Sequence, residues 1–206
     1  GSVTFIGTVS PAGGNLKEPV TESTKKAARC FYALSQSRAD SKRYPAVDPI
    51  ESYSKYLEYD EVIDYLKKNV GENWLDNLLY AKNLLIRGKE AYEQINILGD
   101  DGVPVDYHVR FWKSEVFDFV ILQQDAFDDV DASTPIERQK YMMDMVIGIV
   151  QQEYDFESFE EVNTYFRGLI NIFKQMNYSE FQSEDFEKFE AQLNEELEKR
   201  RVAQTV

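Results

Sequence analysis

One cysteine and one histidine are all that the 206 residues offer of the side chains most used for metal capture and nucleophilic chemistry. Cys30 alone closes no internal disulfide and fits a reducing compartment. Its neighbours Ala27, Ala28 and Phe31 predict a small buried apolar residue rather than a nucleophile. His108 has no cysteine beside it and falls short of a common zinc site, so solvent or a local hydrogen bond is its expected role. Basic residues are also scarce. With 23 Lys and Arg against 37 Asp and Glu, the formal net charge is -14, which argues against a nucleic-acid backbone or an anionic membrane surface as partner. No apolar run approaches the roughly 18 residues of a membrane-spanning helix, and the first residues carry no secretory-leader pattern. No carboxylate pair, metal-ligand spacing or activated nucleophile stands out, so no catalytic residue and no metal ligand is expected in this stretch. The Gly-x-x-x-x-Gly-Lys-Ser/Thr loop that cradles phosphates is absent from the sequence.

What is present points to a packed, mainly α domain. Hydrophobic residues make up 43% of the chain, with 13 Tyr, 13 Phe and 2 Trp, an aromatic supply suited to a core rather than a solvated tail. Residues 3–9, rich in β-branched and aromatic side chains, predict one short strand that ends in a Pro/Gly turn and needs partners from elsewhere. Thr21 is expected to cap a helix running to about Ser37, with Ala27, Ala28, Phe31, Tyr32 and Leu34 on one face. Asp48-Pro49-Ile50-Glu51 and Thr134-Pro135-Ile136-Glu137 each combine a capping side chain, a first-turn proline and a carboxylate three residues after the cap, and each predicts a helix start. Apolar residues at helical spacing predict a long helix over 72–98 stopped by Gly99, and a second from about Asp106. Val109, Trp112, Val116, Phe119 and Val120 are its expected core residues. Amphipathic helices follow over 134–152, 159–176 and 183–201, the last with Phe186, Phe189, Leu193 and Leu197 in its stripe.

Three blocks carry a family resemblance. Ser10-Pro11-Ala12-Gly13-Gly14-Asn15-Leu16-Lys17-Glu18-Pro19-Val20-Thr21 resembles the Pro-Pro-Gly-Gly-Asp-Phe-Ser-Glu-Pro-Val-Thr run of the catalytic A subunits of V-type and A-type rotary ATPases. Tyr44-Pro45-Ala46-Val47-Asp48-Pro49-Ile50-Glu51-Ser52-Tyr53-Ser54 is similar to a segment shared with F-type beta subunits, and Gln123-Gln124-Asp125-Ala126-Phe127 looks like the family's Gln-Gln-Asn-Ala-Phe. The blocks agree in order and spacing up to about Tyr141, and motif similarity fades past residue 150. Asn15 stands where the family has Asp, and Ser35 replaces the acidic residue after Phe31-Tyr32-Ala33-Leu34.

The resemblance implies the C-terminal, mainly helical region of such a subunit. Residues 1–45 would end a nucleotide-binding domain, residues 46–206 would form a helical domain, and 150–206 would be an extension without a family motif. It further implies that Tyr44 and Phe127 lie on the two sides of an adenine ring, with Ala126 and Phe31 as pocket support. An aromatic face contributes on the order of 1–3 kcal/mol per stacked base. Asp100, Asp101, Gly102, Val103 and Pro104 fall where F-type beta subunits bear on the rotating shaft. ATP or ADP with Mg would bind the intact subunit but not, tightly, these residues alone. The implied partners are the B subunit and the central rotor subunit, in a complex peripheral to the membrane on its cytoplasmic side. The competing reading is a free-standing acidic helical interaction module without a nucleotide site.

Overall fold

The computed structural model describes residues 1–205, with side chains through Arg201. Its first quarter is an irregular arm. A 3-10 turn, Ala12–Gly14, precedes helix α1 (Pro19–Ala27), and strand β1 (Cys30–Phe31) pairs antiparallel with β2 (Tyr53–Ser54). The arm is extended by an isolated bridge from Leu34 to Val47 and by backbone bonds from Ser35 N–H to Ala46 O (2.8 Å) and Asp48 N–H to Ala33 O (2.7 Å). Between its two limbs, the short helix α2 (Gln36–Asp40) and Tyr44 form the tip, and the Tyr44–Pro45 bond is cis.

Helix α3 (Asp60–Asn69) leads from the arm to a helical body. The body comprises α4 (Trp74–Leu98), α5 (Val105–Phe117), a π turn (Asp118–Leu122), α6 (Ile136–Val150), α7 (Phe159–Asn177) and α8 (Glu184–Thr205). Its core is continuous. Val116, Val146, Val162, Phe166, Phe173, Phe186 and Leu193 are shielded from solvent at the centre, with α5 packed on α4 and α7, and α7 on α8. Glycine sets the approach of α4 to α5, because a Cβ on Gly88 would lie 1.8 Å from Ser114 Oγ. Gly99 ends α4 at φ 81°, a left-handed conformation that favours glycine. No helix among the described residues is long and apolar enough to cross a membrane.

The body follows the apolar periodicity closely, but the arm does not. Residues 3–9 form no strand, and Val3, Phe5 and Ile6 face solvent, because no neighbouring strand among the described residues completes a ladder for them. The helix expected from Thr21 to Ser37 ends at Ala27, where Ala28 turns extended and β1 begins pairing. Thr21 sits inside that helix, fully buried, with its hydroxyl donating to Glu18 Oε1 at 2.9 Å. Tyr32 and Leu34, expected on an inner face, are exposed. Asp48 does cap, accepting from the N–H groups of Ile50 (2.8 Å) and Glu51 (3.0 Å), yet only one turn follows. Pairing of 52–55 with the first limb of the arm holds the chain extended there. At Thr134-Pro135 the predicted helix forms, but the Thr134 hydroxyl bonds to Asp131 O rather than capping it. Cys30 is half-buried in β1, its thiol 3.4 Å from Ser54 Oγ, and not in a core.

Candidate functional site

The tip of the arm docks where α5 gives out. Five residues after Phe117 adopt the wider π turn, a local form that recurs at functional sites, and the chain then leaves the body at Gln123. Gln124 N–H donates to Tyr44 O at 2.8 Å, so one backbone bond ties the tip to the segment Gln123-Gln124-Asp125-Ala126-Phe127. The result is a depression of 430 Å³ lined by Tyr44, Ala126 and Phe127, with Phe119 and Gln123 among its other walls and Lys42 and Lys174 at its border. Tyr44 is half exposed and Phe127 is 99% exposed, so both rings leave aromatic surface open to solvent. Lys42 occupies φ 57°, a left-handed conformation uncommon outside glycine and enriched at functional sites.

Beneath the depression lies a compact charge cluster. The Arg38 guanidinium grips Asp118 with both terminal nitrogens, at 3.0 and 2.8 Å. Arg43 contacts Glu115, with one bond at 2.5 Å and another at 3.1 Å, and it also bonds to Asp118. Its guanidinium lies 4.4 Å from the centroid of the Phe119 ring. Burial works against the charge on Arg43, but the Glu115 and Asp118 carboxylates outweigh it and hold the proton more tightly than in water. The segment leaving the body is pinned separately. The buried Asp131 carboxylate accepts from Asp125 N–H at 2.6 Å, Gln124 Nε2 donates to Asp131 O at 2.8 Å, and Arg138 donates to the carbonyls of Met176 and Asn177. Burial pushes the Asp131 carboxyl up and the Arg138 guanidinium down, each partly offset by the charge of the other.

Among the expected site residues, Tyr44, Phe127 and Ala126 are therefore brought to one cavity. Phe31 is not. It lies in β1 against Tyr53, ring centroids 5.9 Å apart, beneath the Lys25 ammonium. At the far end of α5, Asp100, Asp101 and Gly102 form a 3-10 turn, and Val103 and Pro104 lead into the helix. Asp100, Asp101 and Pro104 are exposed. His108, almost fully buried, holds this turn: its Nε2 is 3.1 Å from Asp100 O and its ring stacks on Phe159 at 5.2 Å. Exposed Ile97 and Leu98 adjoin the two acids.

Arg38, Arg43, Glu115 and Asp118 were not evident in the sequence. Their partners are 72 to 80 residues apart, and no local pattern marks such pairs. Chemically, the cavity offers exposed aromatic surface from Tyr44 and Phe127 on which a flat ring could stack. A match for the phosphates and their magnesium is missing from the sequence.

Comparison with known proteins gives three findings. Residues 1–54 match the model of the ATP synthase alpha/beta family, nucleotide-binding domain. The chain is 37% identical over 202 residues to a V-type ATP synthase alpha chain of Borrelia duttonii, covering 98% of this chain and 33% of that protein. It is 39% identical over 188 residues to that of Chlamydia muridarum, covering 91% of this chain and 31% of that one. The similarity thus runs through the last quarter, where short motifs fade. Among solved structures, an ATP synthase subunit NeqB from Nanoarcheaum equitans is similar in fold, with TM-score 0.53 and 19% identity over 68% of this chain and 33% of that one. The chain spans about a third of the length of the curated relatives it matches.

Proposed function

We propose that this chain, which belongs to the V-type ATP synthase alpha-chain family as its C-terminal region, supplies the base-binding side of a nucleotide site and the helical body joining that site to an exposed acidic turn. The observation that carries this reading is the bond from Gln124 N–H to Tyr44 O, which sets Tyr44 and Phe127 around one cavity although they are far apart in sequence. When bound, ATP with Mg would bring its phosphoryl chemistry to residues outside this stretch. The residues here hold the purine between aromatic faces and orient it. The stretch alone is expected neither to hydrolyse ATP nor to bind it tightly.

The acidic turn is the surface we assign to a rotor subunit, with a related non-catalytic subunit as the neighbour that completes the site. Exposed Val3, Phe5 and Ile6 beside the arm support docking onto further sequence of the family rather than a free-standing module. In the full-length subunit, Tyr44→Ala should weaken nucleotide binding at least about five-fold, the lower limit for losing one stacked base. Titration with a fluorescent adenine nucleotide measures it. Unchanged affinity would remove Tyr44 from the site.

A further inference from the structure

We propose that the cluster of Arg38, Arg43, Glu115 and Asp118 is the joint through which occupancy of the Tyr44–Phe127 cavity moves α5, making Arg38 and Arg43 positioning residues for the ATP reaction; this rests on the nucleotide-site reading above. Arg43 is the residue before Tyr44, so its guanidinium and the stacking ring share one short piece of backbone. That guanidinium ends on Glu115 and Asp118, in the last turns of α5, and lies over Phe119, a wall of the same cavity. Arg38 adds a two-pronged grip on Asp118 from the other end of the tip. Paired guanidinium forks constrain direction as well as distance, which a single ammonium does not.

Two positive and two negative charges balance, and their side chains are between 7% and 19% exposed, so solvent screens them little. Apart from the bond between Gln124 and Tyr44, these are the polar links from the tip to the helical body among the described residues. Asp118 also opens the π turn that delivers Phe127, so one carboxylate answers to both walls of the cavity. From Phe117 back to Val105, α5 is an unbroken helix packed on α4, and His108 fastens its first turns to the carbonyl of Asp100. A displacement of the tip is thereby delivered to the acidic turn without passing through a flexible segment. The cluster transmits because, among the described residues, it is the side-chain polar link between the tip and the end of α5.

The test uses the full-length subunit, freed of other reactive cysteines, with Asp101→Cys carrying an environment-sensitive fluorophore. Saturating ATP is expected to shift the label's signal. Arg43→Gln and Asp118→Asn should cut that shift at least five-fold while ATP affinity stays within ten-fold of the parent, and Arg43→Lys, which keeps the charge but not the fork, should restore part of it. A shift that persists in both variants, or is absent from the parent, would overturn the proposal. So would loss of fold or of ATP binding in all three variants, which would make the cluster a structural cross-link. Tyr44→Ala is run alongside: unchanged affinity there defeats the nucleotide-site reading, whatever the label reports.

Discussion

Replacing Gly88 by alanine should be among the most damaging single-methyl additions to this chain. The added Cβ would lie 1.8 Å from Ser114 Oγ and 2.2 Å from Ser114 Cβ. Rotating the serine hydroxyl relieves the first clash but not the second, because Cβ is fixed to the backbone. Relief therefore requires α4 and α5 to separate by more than about 1 Å, opening the contact around Ala81, Leu84, Val109 and Trp112. Overpacking of this kind costs about 1–3 kcal/mol, and here belongs at or above the upper end. Removing glycine from a helix interior returns about 1 kcal/mol. The net loss is then about 2 kcal/mol, a fall in Tm of about 4–8 °C for a chain of this size. Thermal unfolding followed by circular dichroism measures it. The double variant Gly88→Ala with Ser114→Gly should return near the parent Tm, since the obstruction is gone and one helix glycine has been traded for another. A Gly88→Ala protein as stable as the parent would refute the packing argument.

Two further outcomes follow from buried polar groups. The folded state holds the Asp131 proton more tightly than the unfolded chain, because burial disfavours its charge, so stability falls as pH rises from the ordinary carboxylate range through the raised value. Asp131→Asn keeps an oxygen for Asp125 N–H and should raise Tm at pH 7, with the gain shrinking as pH is lowered; a loss at pH 7 would contradict the burial argument. His108→Ala should release the turn at 99–104 and speed its cleavage in limited proteolysis several-fold, with His108→Gln intermediate; equal cleavage rates would show that the imidazole contact to Asp100 does not order the turn.

Helix α7 shows what a sequence discloses by itself. Val162, Phe166, Leu169 and Phe173 recur at helical spacing, Ser158 caps, and the helix spans Phe159–Asn177, as its periodicity predicts. The arm behaves otherwise because its conformation is decided by pairing between segments roughly twenty residues apart. Residues Cys30 and Phe31 suit a helix face as well as a strand, and Tyr53 and Ser54 choose between them. Asp48 carries the full signature of a helix start and obtains one turn, since the same local bonds serve a cap and a turn equally. The aromatic walls at Tyr44 and Phe127 were legible only through their flanking motifs. The arginine cluster beneath them was not, because ion pairs that span the fold leave no period in the chain.

Helix α4 is 25 residues long, so its axis measures about 37 Å at 1.5 Å per residue. A tilt of about 10° at its Trp74 end would sweep Leu98, and the acids just beyond it, through about 6 Å, roughly the pitch of one helical turn. Under the reading proposed above, an angular change of this size at the cavity end would be enough to carry the acidic turn several ångströms across a facing protein surface.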